Sequence, residues 1–150
     1  MLRQVLGIIA GAGLCQFGFL TLAFGLAQLW PAYAVHGRTY LQQRLFTFPA
    51  PMAVCTLLLW VAAALAAGFV VMKITQSWRG VQVLAAAIVS YAATIHLILE
   101  WPRFPWWYNL AVVLQMGPAV LLGGWIALAP ANRRSREAEH GGESPRPLFP

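Results

Sequence analysis

Residues 5–30, VLGIIAGAGLCQFGFLTLAFGLAQLW, decide the fold of this chain. The stretch contains no Lys, Arg, Asp or Glu. A helix needs about 20 residues to cross the roughly 30 Å hydrocarbon core of a membrane, and this stretch is longer. A helix on a soluble protein would carry a polar side, whereas this one is apolar all round. Residues 5–30 therefore predict a membrane-spanning helix.

Three further runs of the same kind follow at 51–72, 81–99 and 106–129. Charged residues make up only 9% of the chain, against about a quarter in soluble domains. We therefore expect an all-α fold, an integral membrane four-helix bundle with short loops and a polar C-terminal tail. Residues 1–130 form the four-transmembrane-helix domain in this prediction, and residues 131–150 form a flexible, mostly polar tail.

Positively charged residues are divided unequally between the two ends of the predicted bundle. Cytoplasmic loops of membrane proteins carry more Lys and Arg, so the richer end predicts the cytoplasmic side. That end has Arg3, Lys73, Arg79, Arg133, Arg134 and Arg136, and the other has Arg38, Arg44 and Arg103. We expect a multi-pass protein of the bacterial inner (cytoplasmic) membrane with both termini in the cytoplasm. The lipid bilayer then accounts for the basic residues, and no nucleic-acid partner is expected.

Glycines recur along the first predicted span at positions 7, 11, 18 and 25. Gly7 and Gly11 form a GxxxG pair, and Gly11, Gly18 and Gly25 follow one another at intervals of seven residues. Small residues let helix backbones approach closely in lipid. The pattern predicts a tight contact with a neighbouring helix that includes Gly18. A second interpretation, a slot for a flat hydrophobic ligand, stays open.

Aromatic side chains concentrate at the outer end of the bundle, around the connections 31–50 and 100–105. Rings at headgroup depth are typical of an interfacial belt. Their density also leaves room for an aromatic-lined pocket or a protein contact at that end. Within the first connection, residues 40–48 predict a short helix lying on the outer surface of the membrane.

His96 and Glu100 lie four positions apart near the outer end of the third span. This spacing places both side chains on one helix face. An ionisable residue within a span indicates a functional site by default. The alternative is structural, with Glu100 meeting water or pairing with Arg103 and His96 staying neutral at little cost. The candidate ligand-binding residues are His96, Glu100, Arg103, Trp101, Tyr91 and Gly18.

A metal site on the outer side is a further candidate. His36, His96 and Glu100 are of the residue types that bind Zn, Cu or Fe, although their spacing is not diagnostic. The sequence contains no Gly-rich phosphate loop, nucleophile elbow or HExxH motif. It therefore assigns no catalytic residue and no cofactor.

Two segments resemble a known family. They are the glycine-rich first span with its proline exit, GAGLCQFGFLTLAFGLAQLWPAYA (11–34), and the aromatic–Asn opening of the last span, WWYN (106–109). Both resemble the anthrone oxygenase-like family of small four-helix membrane proteins, in which the polar connection before the last span is usually longer. The resemblance implies a hydrophobic aromatic substrate and oxygen chemistry, and it carries no catalytic residue onto this chain.

The sequence favours two candidate functions. The first is a non-catalytic helical subunit, accessory or structural, of a larger bacterial membrane complex such as a respiratory or photosynthetic one. The small-residue helix faces and the scarcity of reactive groups favour it, and other membrane subunits would be its partners. The alternative is a small membrane enzyme or binder acting on a flat hydrophobic molecule, a quinone or an aromatic polyketide. The sequence leaves open whether the chain is an enzyme.

Overall fold

A computed structural model describes residues 2–43, 48–101 and 103–141, and for residues 40–43 and 129–141 it describes the backbone only. The elements are α1 (Leu2–Leu29), α2 (Pro31–Gln43), α3 (Ala50–Thr75), α4 (Trp78–Ala93), a π-helical segment (Thr94–Leu99) and α5 (Trp106–Gly141). None of the described residues lies in a strand. The predicted all-α fold is confirmed.

The described residues contain four helical stretches that are long and apolar enough to cross a membrane. They are Leu2–Leu29, Ala50–Thr75, Trp78–Leu99 and Trp106–Leu128. The third stretch consists of α4 and the π-helical segment together. These stretches contain the four apolar runs almost entirely, so the chain is a small multi-pass membrane protein built as a helical bundle.

Helix α3 is central to the packing of the bundle, because it contacts α1, α4 and α5. Helix α4 packs chiefly against α5 and also touches α1. Helices α3 and α5 approach each other closely where Gly68 faces the backbone of Val120 and Gly123 faces the backbone of Leu65. A side chain at either glycine would overlap the opposing helix. Such backbone contact at small residues is how helices associate in lipid, where the hydrophobic drive between them is missing.

Charged side chains join the helix ends at one end of the bundle. Arg3 Nε donates to the carbonyl oxygen of Ile74, and Lys73 Nζ donates to that of Ala127 at 3.0 Å. The start of α1, the end of α3 and the end of the apolar part of α5 therefore lie together. Helix α3 ends there at Thr75, and the next residue, Gln76, adopts a left-handed conformation with φ 51° and donates its N–H to the carbonyl of Met72.

The glycine row of α1 makes close contact only in its first half. A side chain at Gly7 would overlap Thr75, and one at Gly11 would overlap Val71. A Cβ at Gly18 would lie 3.9 Å from that of Ala63, an ordinary contact, and one at Gly25 would have nothing within 4 Å. The predicted tight contact therefore ends at the GxxxG pair, and further along α1 the contact with α3 is made by larger side chains, with the Phe19 ring stacked on that of Trp60.

One connection and the C-terminal part of the chain differ from their predicted form. The surface helix expected at 40–48 is replaced by α2, which begins at Pro31 and ends at Gln43. Proline is favoured in the first turn of a helix, since its φ is already helical and it has no N–H to satisfy. Residues 44–47 lie outside the described residues. At the other terminus α5 continues to Gly141, past the predicted domain end at residue 130. The rest of the predicted tail, 142–150, also lies outside the described residues, and its flexibility stays a prediction.

Candidate functional site

The outer end of the third span is a π-helical segment, and it positions His96. The backbone N–H of Glu100 bonds to the carbonyl of Ile95 at 2.9 Å, five residues earlier. This spacing is wider than the four-residue spacing of an α-helix. The side chains of the segment therefore point in other directions than they would if α4 continued as an α-helix. Single π-helical turns inside α-helices are frequent at functional sites. The segment is therefore the natural place to look for chemistry.

His96 is bonded to α5 through Asn109. Nδ1 of the half-buried His96 ring lies 3.1 Å from Oδ1 of Asn109. Asn109 is completely buried, and its Nδ2 donates to the carbonyl of Phe104 at 3.4 Å. With the amide held in this orientation, Oδ1 is the acceptor and the ring donates from Nδ1. Nε2 of the neutral ring then keeps its lone pair and can accept a hydrogen bond from a ligand.

Aromatic rings surround this histidine. Phe104 and Tyr108 stack with their centroids 5.2 Å apart. The His96 ring stands edge-on to Phe104 at 5.8 Å and tilted against Tyr108 at 6.2 Å. These distances lie within the range in which aromatic rings attract one another. The π-helical segment and α5 are thus joined by both a polar and an aromatic contact.

Glu100 has a different partner. Its Oε1 accepts from Arg103 Nη1 at 3.3 Å, and the residue as a whole is only 8% exposed, whereas the Arg103 side chain is 44% exposed. The structural alternative in the sequence analysis, a pair with Arg103, is therefore present. The two residues lie at the end of one span, where His96 bonds to Asn109 and Glu100 bonds to Arg103.

The remaining predicted site residues are spread over the surface. Trp101 and Tyr91 are about half exposed, and Tyr91 belongs to α4 rather than to the π-helical segment. Gly18 is half-buried on α1. His36 lies on α2, with its ring 5.8 Å from that of Phe48.

A metal site is not assembled by these residues. Among the described residues, no group of three His, Cys, Asp or Glu lies close enough to hold a metal ion. The candidate ligands His36, His96 and Glu100 are all described, and the structure does not gather them.

Helix α2 is attached to the bundle by a buried contact that the sequence analysis did not predict. The hydroxyl oxygens of Tyr33 and Thr56 lie 3.0 Å apart. Thr56 donates its own proton to the carbonyl of Met52 at 2.9 Å, so Tyr33 is the donor to Thr56. Burial raises the pKa of Tyr33, which keeps the phenol protonated and able to donate. Tyr33 and Thr56 are 23 residues apart in the chain, so no local pattern could have indicated the pair.

A second candidate site is the side of α1 that faces away from the bundle. The buried residues of α1 are Gly7, Gly11 and Cys15. Because successive helical residues are rotated by about 100°, Gln16 stands about 180° from Gly7 and about 140° from Gly11. We call this surface the Gln16 face; it is formed by Ile9, Ala12, Gly13, Gln16 and Leu20.

Gln16 differs from the other amide side chains deep in the spans. Gln115 donates to the carbonyl of Leu57 at 3.3 Å, and Asn109 is bonded to His96. We call His96, Asn109, Phe104 and Tyr108 the outer cluster. Gln16 is exposed, and in the part of the chain that the structure describes no protein group bonds to its amide. In a membrane this side of α1 faces lipid or another protein.

Comparisons of the chain with protein-family models, with curated proteins and with solved structures give no match. A function for the chain has to be inferred from the outer cluster around His96 and from the Gln16 face.

Proposed function

We propose that this four-span protein is a non-catalytic helical subunit of a larger assembly in a bacterial inner membrane, such as a respiratory or photosynthetic complex. The observation that carries the proposal is the exposed Gln16 amide. It lies 13 residues from Arg3 and 13 from Leu29, which is about 20 Å from each at 1.5 Å per residue. Such a position corresponds to the middle of the hydrocarbon core.

An amide at that depth is costly unless something bonds it. Transfer of an unpaired amide from water into an apolar medium costs roughly 2–7 kcal/mol, depending on the reference. Polar side chains in membrane helices therefore bond across to other helices. Within the described residues no group bonds to the Gln16 amide, so a helix of another polypeptide chain is the natural source of that partner.

The outer cluster supports the same function. The His96–Asn109 contact joins the π-helical segment to α5, and the Glu100–Arg103 contact lies within the connection between them. A buried hydrogen bond between two helices stiffens a bundle and fixes how those helices pack. These contacts are what a structural subunit needs to keep a fixed shape for its neighbours.

The same geometry supports the proposed sidedness. Because Arg3 bonds to Ile74 and Lys73 bonds to Ala127, the start of α1, the end of α3 and the end of the apolar part of α5 lie at one end. The excess of positive charge at this end supports a cytoplasmic location for both termini.

Extraction in native lipid tests the subunit function. The tagged full chain should retain at least one further polypeptide in a fixed ratio, and Gln16→Leu should lose it. Gln28→Leu makes the same chemical change near the outer end of α1, where water is available, and should retain the partner. A wild-type chain that is recovered alone in native lipid would overturn the proposal.

The second candidate function is a small membrane enzyme or binder for a flat hydrophobic molecule, a quinone or an aromatic polyketide, as in the anthrone oxygenase-like family. The lone pair on His96 Nε2, next to the stacked Phe104 and Tyr108 rings, favours it. A phenolic hydroxyl could donate to Nε2 while its ring lies against these side chains.

Titration with a reduced short-chain quinone tests the second candidate. His96→Ala should weaken binding at least tenfold, which corresponds to about 1.4 kcal/mol. Glu100→Gln should weaken quinol binding less, because one Glu100 oxygen already accepts a hydrogen bond from Arg103. Wild-type protein that does not bind the quinol, or a His96→Ala protein that binds it equally well, would contradict this function.

A further inference from the structure

We propose that the Gln16 face binds a second copy of this chain, with the two Gln16 amides hydrogen-bonded to each other across a twofold axis. The inference rests on the proposed function and specifies one partner in the assembly. It starts from the placement of Gln16 halfway along α1, on the side opposite Gly7 and Gly11. Within the described residues, the bundle leaves this amide to be satisfied from outside.

The chemistry of the amide favours a copy of itself as the partner. A Gln side chain offers both a donor NH₂ and an acceptor oxygen, so two of them can bond reciprocally. In a twofold symmetric dimer the same surface patch of each chain meets its own copy. A single residue that is donor and acceptor at once fulfils this requirement without any second polar group on the face.

The depth of Gln16 leads to the same partner. Copies of one chain insert into the membrane in the same orientation, since the same positive charges direct each of them. Their twofold axis then runs along the membrane normal, and residues at equal depth meet. Gln16 of one copy is therefore at the level of Gln16 of the other, whatever the thickness of the bilayer.

The shape of the face allows the two helices to come close. Ala12 and Gly13 precede Gln16 by four and three residues, the spacings that place side chains next to one another on a helix. A Cβ added at Gly13 would have nothing within 4 Å in the single chain. Small residues at this level let a second backbone approach, as membrane helix pairs require.

Gly13 also provides a steric probe that does not disturb the single chain. Because the space around it is open, Gly13→Leu leaves the fold of one copy intact and fills only the proposed interface. Gly25→Leu is the matched control, since Gly25 is on the same helix, is equally open, and lies about 180° from Gln16.

Cysteine crosslinking in the native membrane tests the dimer. In full-length protein with Cys15 and Cys55 replaced by Ala, Leu20→Cys on the Gln16 face should form a disulfide-linked dimer on mild oxidation. Leu22→Cys, exposed on another side of α1, should not. Adding Gln16→Leu or Gly13→Leu should lower the yield at Leu20→Cys about fivefold, the change expected for roughly 1 kcal/mol of helix association.

Four results would overturn the proposal. Equal yields at Leu20→Cys and Leu22→Cys would show random collision, and an unchanged yield with Gln16→Leu would show that the amide takes no part. The absence of a linked dimer, while native-lipid particles still contain a different polypeptide, would overturn the self-association alone and leave the subunit function standing. Particles with a single chain would overturn both.

Discussion

Replacing the glycines at the α3–α5 crossing by alanine should destabilise the protein, although alanine is the better helix former. A Cβ at Gly68 would overlap the carbonyl oxygen of Val120 and lie 2.8 Å from its carbonyl carbon. A Cβ at Gly123 would meet Leu65 in the same way, with 2.8 Å to the carbonyl carbon. Ordinary contacts of a Cβ begin at 3.4 Å, so the opposing backbone has to withdraw by more than half an ångström.

The size of the effect follows from two opposed contributions. Alanine in place of glycine within a helix stabilises by roughly 0.5–1 kcal/mol. Overpacking that displaces backbone costs typically about 1–3 kcal/mol, and a gap of 0.5–1 Å forfeits roughly a quarter to a half of each dispersion contact along the crossing. Because the obstacle here is main chain and not a flexible side chain, we expect a net loss of about 2 kcal/mol for either substitution.

Reversible unfolding in mixed micelles, followed by far-UV circular dichroism, measures these free energies. Gly25→Ala is the control, since its Cβ meets nothing within 4 Å, and it should be neutral or slightly stabilising. The double variant of Gly68 and Gly123 should lose less than the sum of the single losses, because one separation of α3 from α5 accommodates both methyl groups. Single variants as stable as the Gly25 control, or fully additive losses, would refute this view of the crossing.

The remaining predictions concern sidedness and the outer end. A cytoplasm-active reporter fused after Pro150 should be active and a periplasm-active one silent; the reverse pattern would contradict the assigned orientation. Asn109→Ala should lower the free energy of unfolding by about 1–3 kcal/mol, because it removes a fully buried amide and the partner of His96; an equal loss in the background of His96→Ala would disprove their coupling. Tyr33→Phe keeps the ring and removes the donor to Thr56, which should weaken the attachment of α2 by about 1 kcal/mol. Limited proteolysis should then cut α2 about fivefold faster. An unchanged cleavage rate would show that this hydrogen bond does not hold α2.

The spans were predictable because the rule that selects them is local. A run such as 106–129 without a charge has to be helical in lipid, where every backbone group must be satisfied within the segment. The GxxxG pair Gly7 and Gly11 was also recognisable as a contact from its spacing. Gly68 and Gly123 were not, because their partner is the backbone of a helix more than 50 residues away, and only the packing order of the helices brings the two together.

The outer cluster shows where sequence reasoning ends. Spacing alone paired His96 with Glu100, since residues four apart share a face of an α-helix. The approach of α5 gives His96 a hydrogen-bond partner that no spacing indicated, the amide of Asn109, thirteen residues further on. Glu100 pairs with Arg103, one of the alternatives in the sequence analysis, because the two residues are only three positions apart in the chain. Pairings across helices depend on the bundle geometry, which a single sequence does not encode in any spacing.

Native mass spectrometry of the wild-type chain, ejected directly from native membrane vesicles, tests the central claim most directly. One chain has a mass of 16.4 kDa. The proposed assembly through the Gln16 face predicts particles that contain at least two polypeptides, and Gln16→Leu should shift them to the mass of one chain. Wild-type particles that contain a single 16.4 kDa chain would contradict the account.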